Sequence, residues 1–108
     1  MKFIDLVKYF RYGGTYETFC QENGLNVESE MIEIHMQKPF NVDNDLYFFE
    51  SEDTNGQVEY HHNGELYYGI LDLYYFQDAM EEAKDGEHKS TSDEKLAQLL
   101  YNYALYDA

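Results

Sequence analysis

The chain has 108 residues and a formal charge of −15 from 22 acidic and 7 basic side chains, with 12 tyrosines, 7 phenylalanines, one cysteine and no tryptophan. A chain of this length forms one domain, burying about 65% of the surface its unfolded form exposes, and the aromatic content opposes the disorder that high charge otherwise brings. Nucleic acid is disfavoured as a ligand because phosphate binding needs clustered Lys and Arg, and the lone Cys20 excludes an internal disulfide or a paired-cysteine zinc ribbon.

The opening MKFIDLVKYF alternates charged with apolar residues instead of forming a signal-peptide core. No apolar run approaches the roughly 20 residues of a membrane span, so a cytoplasmic protein without membrane contacts is expected. Phe3, Ile4, Leu6, Val7 and Phe10 recur at helical spacing until Gly13-Gly14 stops them. Thr15 is placed to cap a second short helix with Phe19 and Cys20 inside and Gly24 just past its end. From Glu30 to Met36 the period changes to two, with Ile32, Ile34 and Met36 on one face and Met31, Glu33 and His35 on the other. This predicts a half-exposed strand closed by the single proline, Pro39.

Three further strands are predicted over residues 45–51, 57–62 and 65–70, separated by EDTNG and by Asn63-Gly64. A two-residue type I′ turn at Asn63-Gly64 sets His62 opposite Glu65, His61 opposite Leu66, Tyr60 opposite Tyr67 and Glu59 opposite Tyr68. Neither face of that hairpin is cleanly apolar. Asp72 is a good N-cap for a helix over 73–84 with Leu73, Phe76, Met80 and Ala83 inside, stopped by Asp85-Gly86. After the polar EHKSTS, Thr91 and Glu94 form a capping box for a last helix that Leu96, Leu99, Leu100, Tyr103 and Tyr106 or Asp107 continue nearly to the end of the sequence. The order ααββββαα predicts an α+β domain, a small antiparallel sheet of about four strands packed against helices.

Catalytic and metal chemistry find little support in the pattern. Neighbouring strand residues point to opposite faces, so His61 and His62 cannot share an ion without a bulge. Glu59 and His61 do share a face and could recruit His35 or His88, yet no sequence-local metal signature is present. With 22 acids, some carboxylate pair always lies at a hydrolytic spacing, which makes each pair uninformative. DNDLYFFESED lacks the glycine and ligand alternation of a calcium loop. No enzymatic activity, metal or other cofactor is expected.

The position of the charge says more. Residues 39–83 contain eleven acids and six tyrosines but no Lys or Arg. Such a stretch would steer a cationic partner with carboxylates and hold it with tyrosines, the residue type that anchors interfaces at low entropic cost. The expected partner-binding residues are Asp45, Glu50, Glu52, Asp53, Glu59, Glu65 and Asp72, with Tyr60, Tyr67 and Tyr68 as anchors.

The run LYYGILDLYYFQDAM, the polar HKSTSDEKLAQLL and the terminal YNYALYDA resemble small acidic immunity proteins of bacterial contact-dependent growth inhibition and related polymorphic toxin systems. The resemblance implies a cognate basic toxin domain as partner, frequently a nuclease acting on tRNA or DNA, neutralised in the cytoplasm by direct binding. The same electrostatics would also suit a phage-encoded DNA mimic directed at a host nucleic-acid-binding protein.

Overall fold

A computed structural model of the chain describes residues 1–86 and 89–107. Helix α1 (Phe3–Arg11) and helix α2 (Tyr16–Glu22) lead into strand β1 (Ile32–Met36) and strand β2 (Tyr47–Glu50). A single helical turn, α3 (Ser51–Thr54), separates these from the hairpin of β3 (Glu59–His62) and β4 (Glu65–Asp72). Helices α4 (Leu73–Asp85) and α5 (Asp93–Asn102) follow, and a π-helical turn spans Tyr103–Asp107. The architecture is α+β, with one antiparallel four-stranded sheet in the order β2-β1-β4-β3.

Local chemistry accounts for most boundaries. The Thr15 hydroxyl accepts from the Thr18 amide to start α2, and Gly24 follows the helix at φ 66°. The Asp72 carboxylate accepts from the Tyr75 amide at 2.7 Å to start α4. Asn63 and Gly64 both take positive φ, 52° and 80°, and the hairpin adopts the register predicted from that turn.

The core lies between the helices and one sheet face. Phe3, Leu6, Val7 and Phe10 of α1 meet Phe76 and Met80 of α4, Leu96 and Leu100 of α5, and Ile32, Ile34 and Met36 of β1. Edge-to-face aromatic contacts tie these layers together, Phe3 to Tyr101 at 5.7 Å and Phe19 to Phe48 at 4.9 Å. Arg11 donates to Asp93 at 2.9 Å and to the Lys89 carbonyl at 3.0 Å, fastening α1 to the start of α5.

Several elements depart from the sequence expectations. The strands at 45–51 and 57–62 shorten to Tyr47–Glu50 and Glu59–His62, because Ser51–Thr54 closes a helical turn where a loop was expected. The last helix is capped by Ser92, whose hydroxyl accepts from the Lys95 amide at 3.2 Å, and not by a Thr91–Glu94 box. Its inner face is Leu96, Ala97, Leu100 and Tyr101, continued by Ala104, while Leu99 lies outward. The small Ala97 lets α5 lie close on Ile4 of α1, and a reading by large apolar residues passes over it.

The expected exposure of the second β1 face is also overturned. Between Ile34 and His35 the register with β4 shifts, pairing Ile34 with Leu71 but His35 with Gly69 and leaving Ile70 as an extra residue. Such a bulge bends and twists its strand. In a flat sheet β2 and β3 would stand three strand spacings apart, about 14 Å. Here the rings of Phe49 on β2 and Tyr60 on β3 meet with centroids 4.9 Å apart, so the sheet curls until its edges touch over its open face.

Candidate functional site

The curl creates a second, aromatic layer on the face turned away from the helices. Cross-strand register sets His35 opposite Tyr47, and Tyr60 opposite Tyr67, on that face. Phe49 contacts His35 at 5.1 Å, His62 at 5.4 Å and Tyr67 at 5.2 Å, while Tyr47 packs on Tyr67 at 4.7 Å. His35 lies at the bottom of this cup and is fully buried. The His35 ring lies directly beside Gly69 of β4, where a methyl group would touch it at 3.4 Å.

Beneath the rings runs a directional hydrogen-bond chain. The Gly56 amide donates to Thr54 Oγ1 at 3.1 Å, the Thr54 hydroxyl donates to Glu33 Oε1 at 2.8 Å, and His35 Nε2 lies 3.0 Å from that same oxygen. A carboxylate oxygen that serves two neighbours can only accept, which places a proton on His35 Nε2. His35 Nδ1 has no partner among the described residues. The chain ties α3 and its following turn to the middle of the sheet. The His35 ring is sealed from solvent, while Glu33 reaches the cleft at the α3 end.

The histidines singled out beforehand play other parts. His62 pairs with Glu65 in the hairpin register as expected and stacks on Tyr60 at 5.8 Å, while Glu65 accepts from Gln37 Nε2 at 2.7 Å. His61 is exposed, and His88 lies outside the described residues. Among the described residues no group of three or more His, Cys, Asp or Glu is arranged to hold a metal ion.

The expected partner-binding carboxylates fall at the two ends of the sheet. Glu59 is level with Met36, through its pairing with Tyr68, and Glu65 and Asp45 lie just beyond that end. Glu50 and Asp72 pair with Ile32 and Glu33 at the other end, where Glu52 and Asp53 on α3 join them. The two groups are separated by the length of β1, about 13 Å.

They also differ in occupation. Glu52 accepts from the Ser29 hydroxyl and from the Glu30 amide, contacts that hold its carboxyl below the usual glutamate range. Glu50 accepts from the Asn26 amide at 3.4 Å, and Asp72 is the α4 cap. At the opposite end Glu59 and Glu65 are exposed, and the exposed Asp45 sits 3.7 Å from the amino terminus.

The tyrosines divide similarly. Tyr67 is 8% exposed and belongs to the aromatic layer, and burial raises its hydroxyl pKa. Tyr60 and Tyr68 are half-buried. Lys38, the basic residue nearest the one-signed stretch on its N-terminal side, lies with its ammonium 4.4 Å from the Tyr68 ring centroid and 5.7 Å from that of Phe40.

The sheet strands read IEIHM, YFFE, EYHH and ELYYGILD, with five carboxylates and no Lys or Arg. A cleft of about 220 Å3 at the α3 end, walled by Met31, Glu33, Val58 and Asp72, carries the same sign.

No family model, curated protein or solved structure matches the chain. Among the described residues no helix is long and apolar enough to cross a membrane. The Glu33–His35–Thr54 chain was missed in the sequence. Its one local signal is the i, i+2 spacing of Glu33 and His35, which puts both on one strand face.

Proposed function

We propose that the chain is a binding protein for a basic macromolecular partner, and specifically an immunity protein that covers the active site of a cognate nuclease toxin. One observation carries the reading: a complete four-stranded sheet whose strands hold no Lys or Arg, with Glu65 and half-exposed Tyr60 on its open face, Glu59 and half-exposed Tyr68 on the other face, and Asp45 just beyond the same end. A nuclease groove that holds phosphate is lined with cations, and carboxylates spaced over a rigid sheet can occupy it in place of the nucleic acid. The charge, excessive for stability alone, then serves attraction at a distance.

Support from the resemblance to immunity proteins is of the same kind, an acidic α+β domain with a tyrosine-rich end. The aromatic layer gives the surface its stiffness, since side chains already packed lose little freedom when a partner arrives.

The test is association kinetics with the product of the reading frame immediately upstream, which the proposal expects to be basic. Replacing Asp45, Glu59 and Glu65 together by lysine should slow association at least about ten-fold at low salt and flatten its salt dependence. The melting temperature should barely change, because these side chains are exposed. Lysine at Asp53, on the opposite end, should slow association less. An unchanged rate for the triple variant at low salt would refute the assignment of this surface.

A further inference from the structure

A second set of exposed apolar side chains lies away from the sheet. α4 buries Leu73, Phe76 and Met80 in the core, α5 buries Leu96, Leu100 and Tyr101, and both helices pack principally on α1. Between α4 and α5 runs a groove of about 400 Å3 lined by Tyr75, Ala79, Glu82, Leu96, Leu99 and Tyr103 among others. Its volume is in the range of ligand-binding clefts, roughly 300–1,000 Å3.

Two features set the groove apart from ordinary surface. Tyr75 and Leu99 are each 41% exposed although both helices already supply full core-facing stripes, so these side chains add apolar surface that the fold does not use. The aromatic wall is also fixed in advance: Tyr75 and Tyr103 stack at 5.1 Å with an interplanar angle of 10°. A wall that is already ordered costs little to engage.

Charge says what would fit there. Glu82 stands among the apolar lining residues, and none of the groove's described lining residues is Lys or Arg. Asp78 and Glu81 are exposed on the same helix. Glu82 stands in the last turn of α4, where the helix dipole is already negative. An acid in that place is locally unfavourable and would be relieved by an incoming cation.

We propose that the α4–α5 groove receives an amphipathic helix of a basic protein, its apolar side chains against Leu99 and Tyr75 and a lysine or arginine against Glu82. A helix laid in a groove between two helices presents anchors at i, i+3, i+4 and i+7, the spacing such a groove reads. The inference rests on the partner being a basic protein but not on its being a toxin, and it adds a contact surface separate from the sheet.

The probe is a designed peptide with leucines on one helical face and lysines elsewhere, beside a scrambled peptide of identical composition. Both are titrated into the full-length chain labelled for amide NMR. The amphipathic peptide should bind about ten-fold more tightly, a difference of about 1.4 kcal/mol, and perturb amides of Tyr75, Ala79, Leu99 and Tyr103. Leu99→Glu should abolish that preference without lowering the melting temperature, and Glu82→Lys should weaken both peptides. Equal binding of the two peptides, a preference that survives Leu99→Glu, or perturbations confined to the sheet would overturn the groove proposal. Loss of binding on lysine substitution at Glu59 and Glu65, with Leu99→Glu silent, would do so while leaving the acidic-sheet reading intact.

Discussion

Glu33 is the residue whose removal should cost this fold most for its size. Its Oε1 accepts from Thr54 at 2.8 Å and faces His35 Nε2 at 3.0 Å, and both partners are buried, at 1% and 0% exposure. Glu33→Ala removes the acceptor of two buried donors, leaving Thr54 only its 3.4 Å contact with the Ser51 carbonyl, at about 1–3 kcal/mol each, so a loss of about 3 kcal/mol is expected after allowing for relief of burying the carboxylate. For a domain of this length that lowers the melting temperature by about 12 °C. Glu33→Gln keeps an oxygen in place to accept from both neighbours and turns its amide nitrogen towards the cleft that Glu33 shares with Met31 and Gly56. Only the charge assistance is lost, about 1 kcal/mol. Urea unfolding of the three proteins, with m-values compared, measures both. Equal losses for Ala and Gln, or a loss for Ala below about 0.5 kcal/mol, would show that the chain through Thr54 and His35 does not brace the sheet.

Further outcomes follow from single contacts. Tyr67→Ala should destabilise by about 3 kcal/mol or more, because it empties the centre of the aromatic layer, where Tyr47 and Phe49 contact it; a small thermal effect with lost partner binding would return Tyr67 to the role of an anchor. The Glu52 carboxyl is held below its ordinary value of 4.5 by the Ser29 hydroxyl and the Glu30 amide, so its contribution is complete above that pH and lost as pH falls through the lower folded value. Glu52→Gln should therefore flatten the acid limb of a urea-midpoint profile taken down to about pH 3. Tyr75, raised to about 12 chiefly by its hydrogen bond to Tyr103, favours the fold below the ordinary tyrosine value of 10.0, an advantage lost as pH rises through 12. Ultraviolet titration of Tyr103→Phe should bring one tyrosine back towards 10.0.

What could be read in advance was governed by local rules. The α1 stripe, the Thr15 and Asp72 caps and the Asn63-Gly64 register depend on a few consecutive residues, and all appear as predicted. His35 could not be placed the same way. A period of two assigns it to a face, but whether that face sees water depends on the bulge at Ile70 and on rings arriving from the far edge of the sheet. The acids show the same boundary. Composition located a one-signed stretch, yet only the fold divides it into a sheet end where Glu52 and Asp72 serve local contacts and another where Glu59 and Glu65 are exposed. Large apolar residues mark the last helix in the sequence, Leu99 among them; Ala97, which is small, takes the inner position and leaves Leu99 on the groove.

The central claim is that an acidic sheet meets a basic partner. Its most direct measurement is co-expression of this chain, tagged, with the reading frame immediately upstream, followed by purification at moderate salt and toxicity assays of that frame expressed alone. The account predicts a stoichiometric basic protein that degrades nucleic acid and arrests growth without this chain, and that loses the complex when Asp45, Glu59 and Glu65 become lysine. A partner that is not basic, or a complex indifferent to that triple reversal, would contradict it.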